Sequence, residues 1–151
     1  MTQFQTQNVD EARIYGVEVS AEYRFSPGLD GFSVLGSLAF AEGDNTTDDE
    51  PLSTVDPLTA VLGLRYRAPD DRWRAELLST IVGQARVEDG ADTFVPDAYA
   101  LFDLIGSYNP TPNLGLSLGI YNLFNTEYYV YSDVRNQPDD APDIQRFSQP
   151  G

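Results

Sequence analysis

"ARIYGVEVSAEYRFSPGLDGFSVLGSLAF", residues 12–40, decides the fold. Up to Phe25 every second residue is apolar or aromatic. Tyr15, Val17, Val19, Ala21, Tyr23 and Phe25 fall on one side, and Gly16, Glu18, Ser20, Glu22 and Arg24 on the other. Period two is the geometry of a strand, whose successive side chains point to opposite faces. "SPGLDG" (26–31) has the Pro, Gly and Asp chemistry of a tight turn. Alternation then resumes, with Phe32, Val34, Leu38 and Phe40 opposite Ser33, Ser37 and Ala39. The stretch predicts an antiparallel hairpin with one apolar and one polar face.

The same pattern recurs along the chain. Residues 58–67 place Ala60, Leu62, Leu64 and Tyr66 opposite Thr59, Gly63, Arg65 and Arg67. Residues 73–84 place Trp73, Ala75, Leu77 and Ile81 opposite Arg74, Glu76, Thr80 and Gln84. Residues 99–108 place Phe102, Leu104 and Tyr108 opposite Asp103 and Ser107, and "LGLSLGIYNLFNTEYY" (114–129) opens with Leu114, Leu116, Leu118 and Ile120 in phase. With 13–25 and 32–41 this makes six strands, joined by two kinds of connection. "SPGLDG", "APDDR" (68–72) and "NPTPN" (109–113) are tight; 42–56, 86–97 and 126–151 are long and acidic. Tight and long alternate, so one end of the sheet carries turns and the other carries loops. The last loop, charged and poor in apolar residues, is expected to be disordered.

Composition excludes several function classes. The 151 residues carry a formal charge of −15, with no Lys, no His and no Cys. A nucleic-acid binder needs a basic face for phosphates, so no nucleic-acid partner is expected. Without His or Cys, or a Gly-rich phosphate loop, no catalytic constellation is visible, and neither an enzyme nor a cofactor is expected. Glu18 and Glu22 share a face at strand spacing, which reads as a solvated wall. No apolar run is long enough for a membrane helix, but β-barrels cross with strands.

Two all-β readings compete: a soluble β-sandwich that binds a ligand or protein, and a membrane barrel wall. Three features favour the membrane. Tyr23, Phe25, Phe32, Tyr66, Trp73 and Tyr108 flank the tight turns on the apolar face, where amphipathic rings suit a membrane interface. The apolar face of the first strand, 15–25, matches the roughly 9–11 residues of a tilted spanning strand. Turns at one end and loops at the other is the outer-membrane arrangement. The fold expected is an antiparallel up-and-down meander of about six strands, a partial transmembrane β-barrel not closed alone. Its apolar face would meet outer-membrane lipid and its charged face a wet lumen.

The residues also resemble a family. The stretch 12–40 resembles the hairpin of TonB-dependent outer-membrane receptors in which a Gly-Val-Glu strand leads through a short turn into the next strand. "VDPLTAVLGLRY" (55–66) and "YALFDLIGSYNPTPNLGLSLGIYNLFNTEYY" (99–129) resemble the closing strands of the same family, with "NLFN" after a period-two strand the most specific element. The wording is most similar to the haem and haemoglobin receptor branch, including "SQPG" at 148–151. The resemblance implies a large plugged barrel in the outer membrane of a Gram-negative bacterium. It would be driven by the TonB complex through an N-terminal TonB box, and import haem, a haem protein's haem or a ferric siderophore. On this resemblance 1–151 is the C-terminal part of the barrel, with the plug domain and final strand absent. Any ligand histidines lie elsewhere, and the chain alone is expected neither to close nor to transport.

Candidate sites follow. Tyr128, Tyr129 and Tyr131 suit stacking on a planar ligand such as haem, or an outer aromatic girdle, which is preferred. Asp44, Asp48, Asp49 and Glu50 offer oxygen ligands for Ca²⁺ but lack EF-hand spacing, so a solvated loop without metal is preferred. Asp103 is expected to join a lumenal network with Arg65 or Arg74. The facing of Asn122 stays open, because it shares parity with Ile120 and a bulge can intervene.

Overall fold

The structure, a computed structural model, describes residues 11–47, 49–88, 90–135 and 137–150. Its main body is one antiparallel sheet built from β1 (Ala12–Arg24), β2 (Gly31–Asn45), β4 (Thr59–Arg67), β5 (Trp73–Val82), β6 (Tyr99–Thr111) and β7 (Leu114–Ile120), in that order. A two-residue strand, β3 (Glu50–Pro51), clips onto the far end of β2. The six expected strands are all present, as an up-and-down meander. Within it β1 and β7 stand at opposite edges. Among the described residues no second sheet covers the apolar face; the other sheet is the two-stranded pair β8 (Tyr128–Tyr129) and β9 (Ser148–Gln149). The sandwich reading therefore fails on architecture.

Register makes the two faces. Directly opposed residues in an antiparallel pair share a face. Val17 pairs with Phe40, Val19 with Leu38 and Tyr23 with Val34. Val34 pairs with Leu64, Leu64 with Leu77 and Leu77 with Leu104, and Leu104 with Ile120. Every apolar parity thus lands on one side, and a one-residue slip anywhere would break it. The apolar side is left bare: Val17, Leu62 and Leu118 are 60%, 53% and 74% exposed. A protein folded in water would bury such a face.

Rings gather at the tight-turn end. Tyr23 meets Phe25 edge-on at 5.2 Å, and Phe32, Tyr66 and Trp73 stack in series at 4.8 Å each. The turns close beside them, Phe25 N–H donating to the Phe32 carbonyl and Ala68 N–H to the Trp73 carbonyl, each at 3.0 Å.

Three boundaries differ from the sequence reading. β2 runs on to Asn45 because β1 pairs with it as far as Ala12, so Glu42 and Asp44 stand in a strand and not in a loop. β6 runs through Asn109 and Pro110 to Thr111, with an irregular register between Tyr108 and Thr111; only Pro112 and Asn113 remain as the turn. Asn109 N–H still donates to the Arg72 carbonyl at 2.6 Å, which holds that extension in the ladder. The last loop is ordered among its described residues. It contains β8, the short helix α1 (Tyr131–Val134), a 3-10 turn (Ile144–Phe147) and β9, and it is held by packing that composition does not display.

"NLFN" stops the sheet. Asn122 and Asn125 both adopt left-handed backbone, at φ 49° and 56°, a region Asn tolerates better than most residues. The Asn122 side chain then locks the turn from both sides. Its amide donates to the Thr126 carbonyl and its oxygen accepts from the Thr126 N–H, each at 2.9 Å. Asn122→Ala is expected to cost about 1–3 kcal/mol through two lost hydrogen bonds and a strained φ. Asn122→Gly, which restores the backbone freedom, should cost about half of that. Urea unfolding of the intact protein in detergent checks both; equal costs would show that φ contributes nothing.

Candidate functional site

The polar face carries an ion-paired ladder. Arg65 on β4 donates through Nε to Glu76 on β5 at 2.6 Å, and its Nη1 lies 3.4 Å from Glu22 on β1, reaching across β2. Ser33 of β2, directly opposite Arg65, is buried. One row on, Gly63 lets Leu35 and Leu78 close over it: an added Cβ would sit 2.7 Å from Leu35 and 2.8 Å from Leu78. The inner wall thus carries an apolar patch, Leu35, Gly63 and Leu78, set between Glu22 and Asp103 and beside the Arg65 row, and is not the uniformly wet surface that alternation suggested.

Asp103 does not join the arginines. It pairs across the sheet with Leu78, one same-face step along from the row that holds Arg65 and Glu76. Its Oδ1 instead accepts the Asn122 N–H at 2.8 Å. The carboxylate therefore fixes the "NLFN" turn to β6, and the open question of Asn122 resolves into a left-handed bend tied to the inner face.

At the loop end the chain builds the greater part of its small interior. Val134 is fully buried and Tyr131 is 4% exposed. The Tyr131 hydroxyl donates to the Ser53 carbonyl at 3.0 Å, Arg135 reaches the Thr54 carbonyl at 3.4 Å, and Phe94 N–H donates to the Gln137 carbonyl at 2.8 Å. Three separate loops are thereby joined. Beside them lie two aromatic pairs, Tyr99 with Tyr128 at 4.7 Å and Phe94 with Tyr129 edge-on at 5.1 Å. Tyr128 and Tyr129 are partly exposed, whereas Tyr131 is enclosed. Phe94 and Tyr99 were not singled out in the sequence; no local pattern distinguishes them from other loop and strand aromatics.

The acidic candidates do not assemble. Asp48 lies outside the described residues. Asp44 stands 3.6 Å from Arg86, which also holds Glu42 at 2.9 Å, and Glu42 accepts the Tyr15 hydroxyl. Glu50 lies in β3, and Asp49 precedes it at φ 59°. Among the described residues no group of three or more acidic side chains is placed to hold a metal ion.

A bare apolar face, a ring belt at the turn end, a charged inner wall and joined loops agree with one family model, "TonB dependent receptor-like, beta-barrel", which matches residues 1–123. The chain belongs to the TonB-dependent receptors. Members of this family are transporters of the Gram-negative outer membrane, not enzymes. The segment is 29% identical over 149 residues to the "Probable hemoglobin and hemoglobin-haptoglobin-binding protein 4" of Haemophilus influenzae, covering 88% of this chain and 15% of that protein. It is 28% identical over 174 residues to the "Hemoglobin-haptoglobin utilization protein B" of Neisseria meningitidis, covering 98% and 22%. Among solved structures it resembles "Copper transporter OprC", with TM-score 0.69 and 34% identity over 80% of this chain and 19% of that one. The chain therefore spans about a fifth or less of these relatives. In this family tight turns face the periplasm and long loops the exterior, so the joined loops form part of the receptor's outer mouth.

Burial pushes the Tyr131 phenol above its ordinary value of about 10. The neutral phenol donates to Ser53, and a phenolate cannot. Because the docked state has the higher pKa, docking is fully stabilised below about pH 10 and is lost as pH rises through that raised value. Tryptic cleavage at Arg135 of the intact receptor should therefore accelerate only at strongly alkaline pH. Tyr131→Phe should flatten the profile; an unchanged profile would assign the transition to another group.

Proposed function

We propose that the receptor carrying this segment imports an iron-bearing solute across the outer membrane, haem drawn from a haem protein first and a ferric siderophore second. The apolar face meets lipid, and the TonB complex drives import through the plug and TonB box of the N-terminal region. The observation that carries the reading is the aromatic surface at the outer mouth, Tyr128 and Tyr129 backed by Tyr99 and Phe94, held on a preassembled loop unit. Rings fixed in this way bind planar or protein ligands at low entropic cost. The haemoglobin-binding relatives favour haem over other solutes. Tyr131 orders the loops without touching ligand. Copper import, the activity named for the structural neighbour, would need its soft ligands from elsewhere in the receptor, because this chain has no His, no Cys and one Met.

The test is growth of a Gram-negative host, lacking other haem uptake and expressing the intact receptor, on haemoglobin as sole iron source. Tyr128→Ala with Tyr129→Ala should weaken haemoglobin capture by roughly 5- to 100-fold at unchanged surface levels. Receptor-dependent uptake of copper, without growth on haemoglobin or a ferric siderophore, would refute the reading.

A further inference from the structure

The chain is strongly acidic, yet its inner wall at the periplasmic end is basic. Arg24, Arg65, Arg67 and Arg74 occupy that end of the polar face on β1, β4 and β5, against Glu22 and Glu76. Both glutamates are engaged by Arg65. Arg67 stands directly across the sheet from Arg74, and like charges in that position destabilise a strand pair. The acidic partner of Arg67 is Asp71 on the turn, 3.6 Å away and 81% exposed, a weak screen. Among the described residues neither Arg24 nor Arg74 has an ion-pair or hydrogen-bond partner. Arg24, Arg65 and Arg67 also line one open cavity of about 140 Å³ together with Leu29 and Glu22, the carboxylate that Arg65 holds; Gly31 and Ser33 floor it, and Arg74 stands outside it, across the strand pair from Arg67. At roughly 30 Å³ per water this is room for four or five waters, or one small anion.

We propose that this row is an oxyanion subsite, taking a carboxylate or phosphate group of a small solute at Arg67, with Arg24 across the cavity and Arg74 across the strand pair. Guanidinium forks bind such groups through paired N–H donors. An anion set between Arg67 and Arg74 converts their cross-strand repulsion into two attractions. Arg65, already held by Glu22 and Glu76, shapes the cavity and leaves the binding to its neighbours. The site lies at the end of the lumen opposite the aromatic mouth, so it would receive an anionic solute after capture. It does not depend on which solute the receptor imports.

The experiment titrates the intact receptor, purified in detergent at low ionic strength, with inorganic phosphate and separately with malonate, followed by calorimetry. Saturable binding of either probe is expected, weakening as salt is added. The double variant Arg67→Gln with Arg74→Gln should weaken it at least about tenfold. Arg67→Lys with Arg74→Lys, which keeps both charges, should retain part of the affinity and guards against a folding defect in the neutral pair. Arg72→Gln, on the turn and 3.7 Å from Asp70, should change nothing. Absence of saturable binding in the unmodified receptor, as when carboxylates of its own chain fill the row, overturns the proposal. Equal binding in the glutamine variant overturns it too.

Discussion

Leu64→Arg is expected to cost the folded receptor about 2–4 kcal/mol, a factor of roughly 30 to 1000 in the folding equilibrium. Thr80→Arg, which places the same side chain on the inner face, should be close to neutral. Leu64 lies in the middle of β4, flanked on the bare side by Val34 and Leu77. In a bilayer a guanidinium there loses its water, and mid-strand it is too deep to reach the interface. Thr80 pairs with Val61 and Leu101 on the inner wall, one same-face row from Asp103, where lumenal water accepts the head of an arginine. The measurement is urea-dependent folding of the intact receptor into lipid vesicles. The contrast between the two sites is the informative quantity. In a water-soluble sheet the ranking would collapse, because an exposed leucine replaced by arginine costs almost nothing. Equal costs would therefore refute the membrane-facing assignment of the apolar side.

Val134→Asp should release the outer loops while leaving the barrel folded. Val134 has no exposed surface in α1, and an unpaired carboxylate there costs about 3–5 kcal/mol. The contacts it would have to break are few: the Tyr131 and Arg135 bonds to Ser53 and Thr54, and the Phe94 bond to Gln137. Local opening is less expensive than global unfolding, so the unit should undock. Trypsin should then cut at Arg135 in whole cells, and haemoglobin capture should fall with Tyr128 and Tyr129 no longer positioned. Heat resistance of the barrel should persist. Full capture together with rapid cleavage would separate loop order from binding and remove the preassembled mouth from the functional account.

The strands and faces were legible in the residues. Tyr15 to Phe25, Leu62 and Leu64, and Leu114 to Ile120 show their parity directly, and Pro, Gly and Asp mark the turns. The ends were less legible. Glu42 and Asp44 look like loop residues by composition, but β1 continues opposite them and pulls them into the ladder. The last loop looks disordered by charge, yet two buried side chains, Tyr131 and Val134, seat it once Ser53, Thr54 and Phe94 from two other loops supply the bonds around them. Average composition dilutes such pairs. Of the site candidates, Tyr128 and Tyr129 were visible as aromatics, but Tyr99 and Phe94, which back them, come from a strand end and another loop.

What the sequence determined by itself is the sheet, its order and its two faces. Period two is a property of the extended backbone, and short turns force neighbours in sequence to be neighbours in space. What the tertiary structure alone decided is which side chains meet across that sheet and above it. Arg65 bonds Glu76 and Glu22 at separations of 11 and 43 residues, Asp103 takes Asn122 and not an arginine, and Tyr131 closes on Ser53 across 78 residues. Those partners are set by register and by how the loops pack. Both are long-range quantities, and one-dimensional alternation does not contain them.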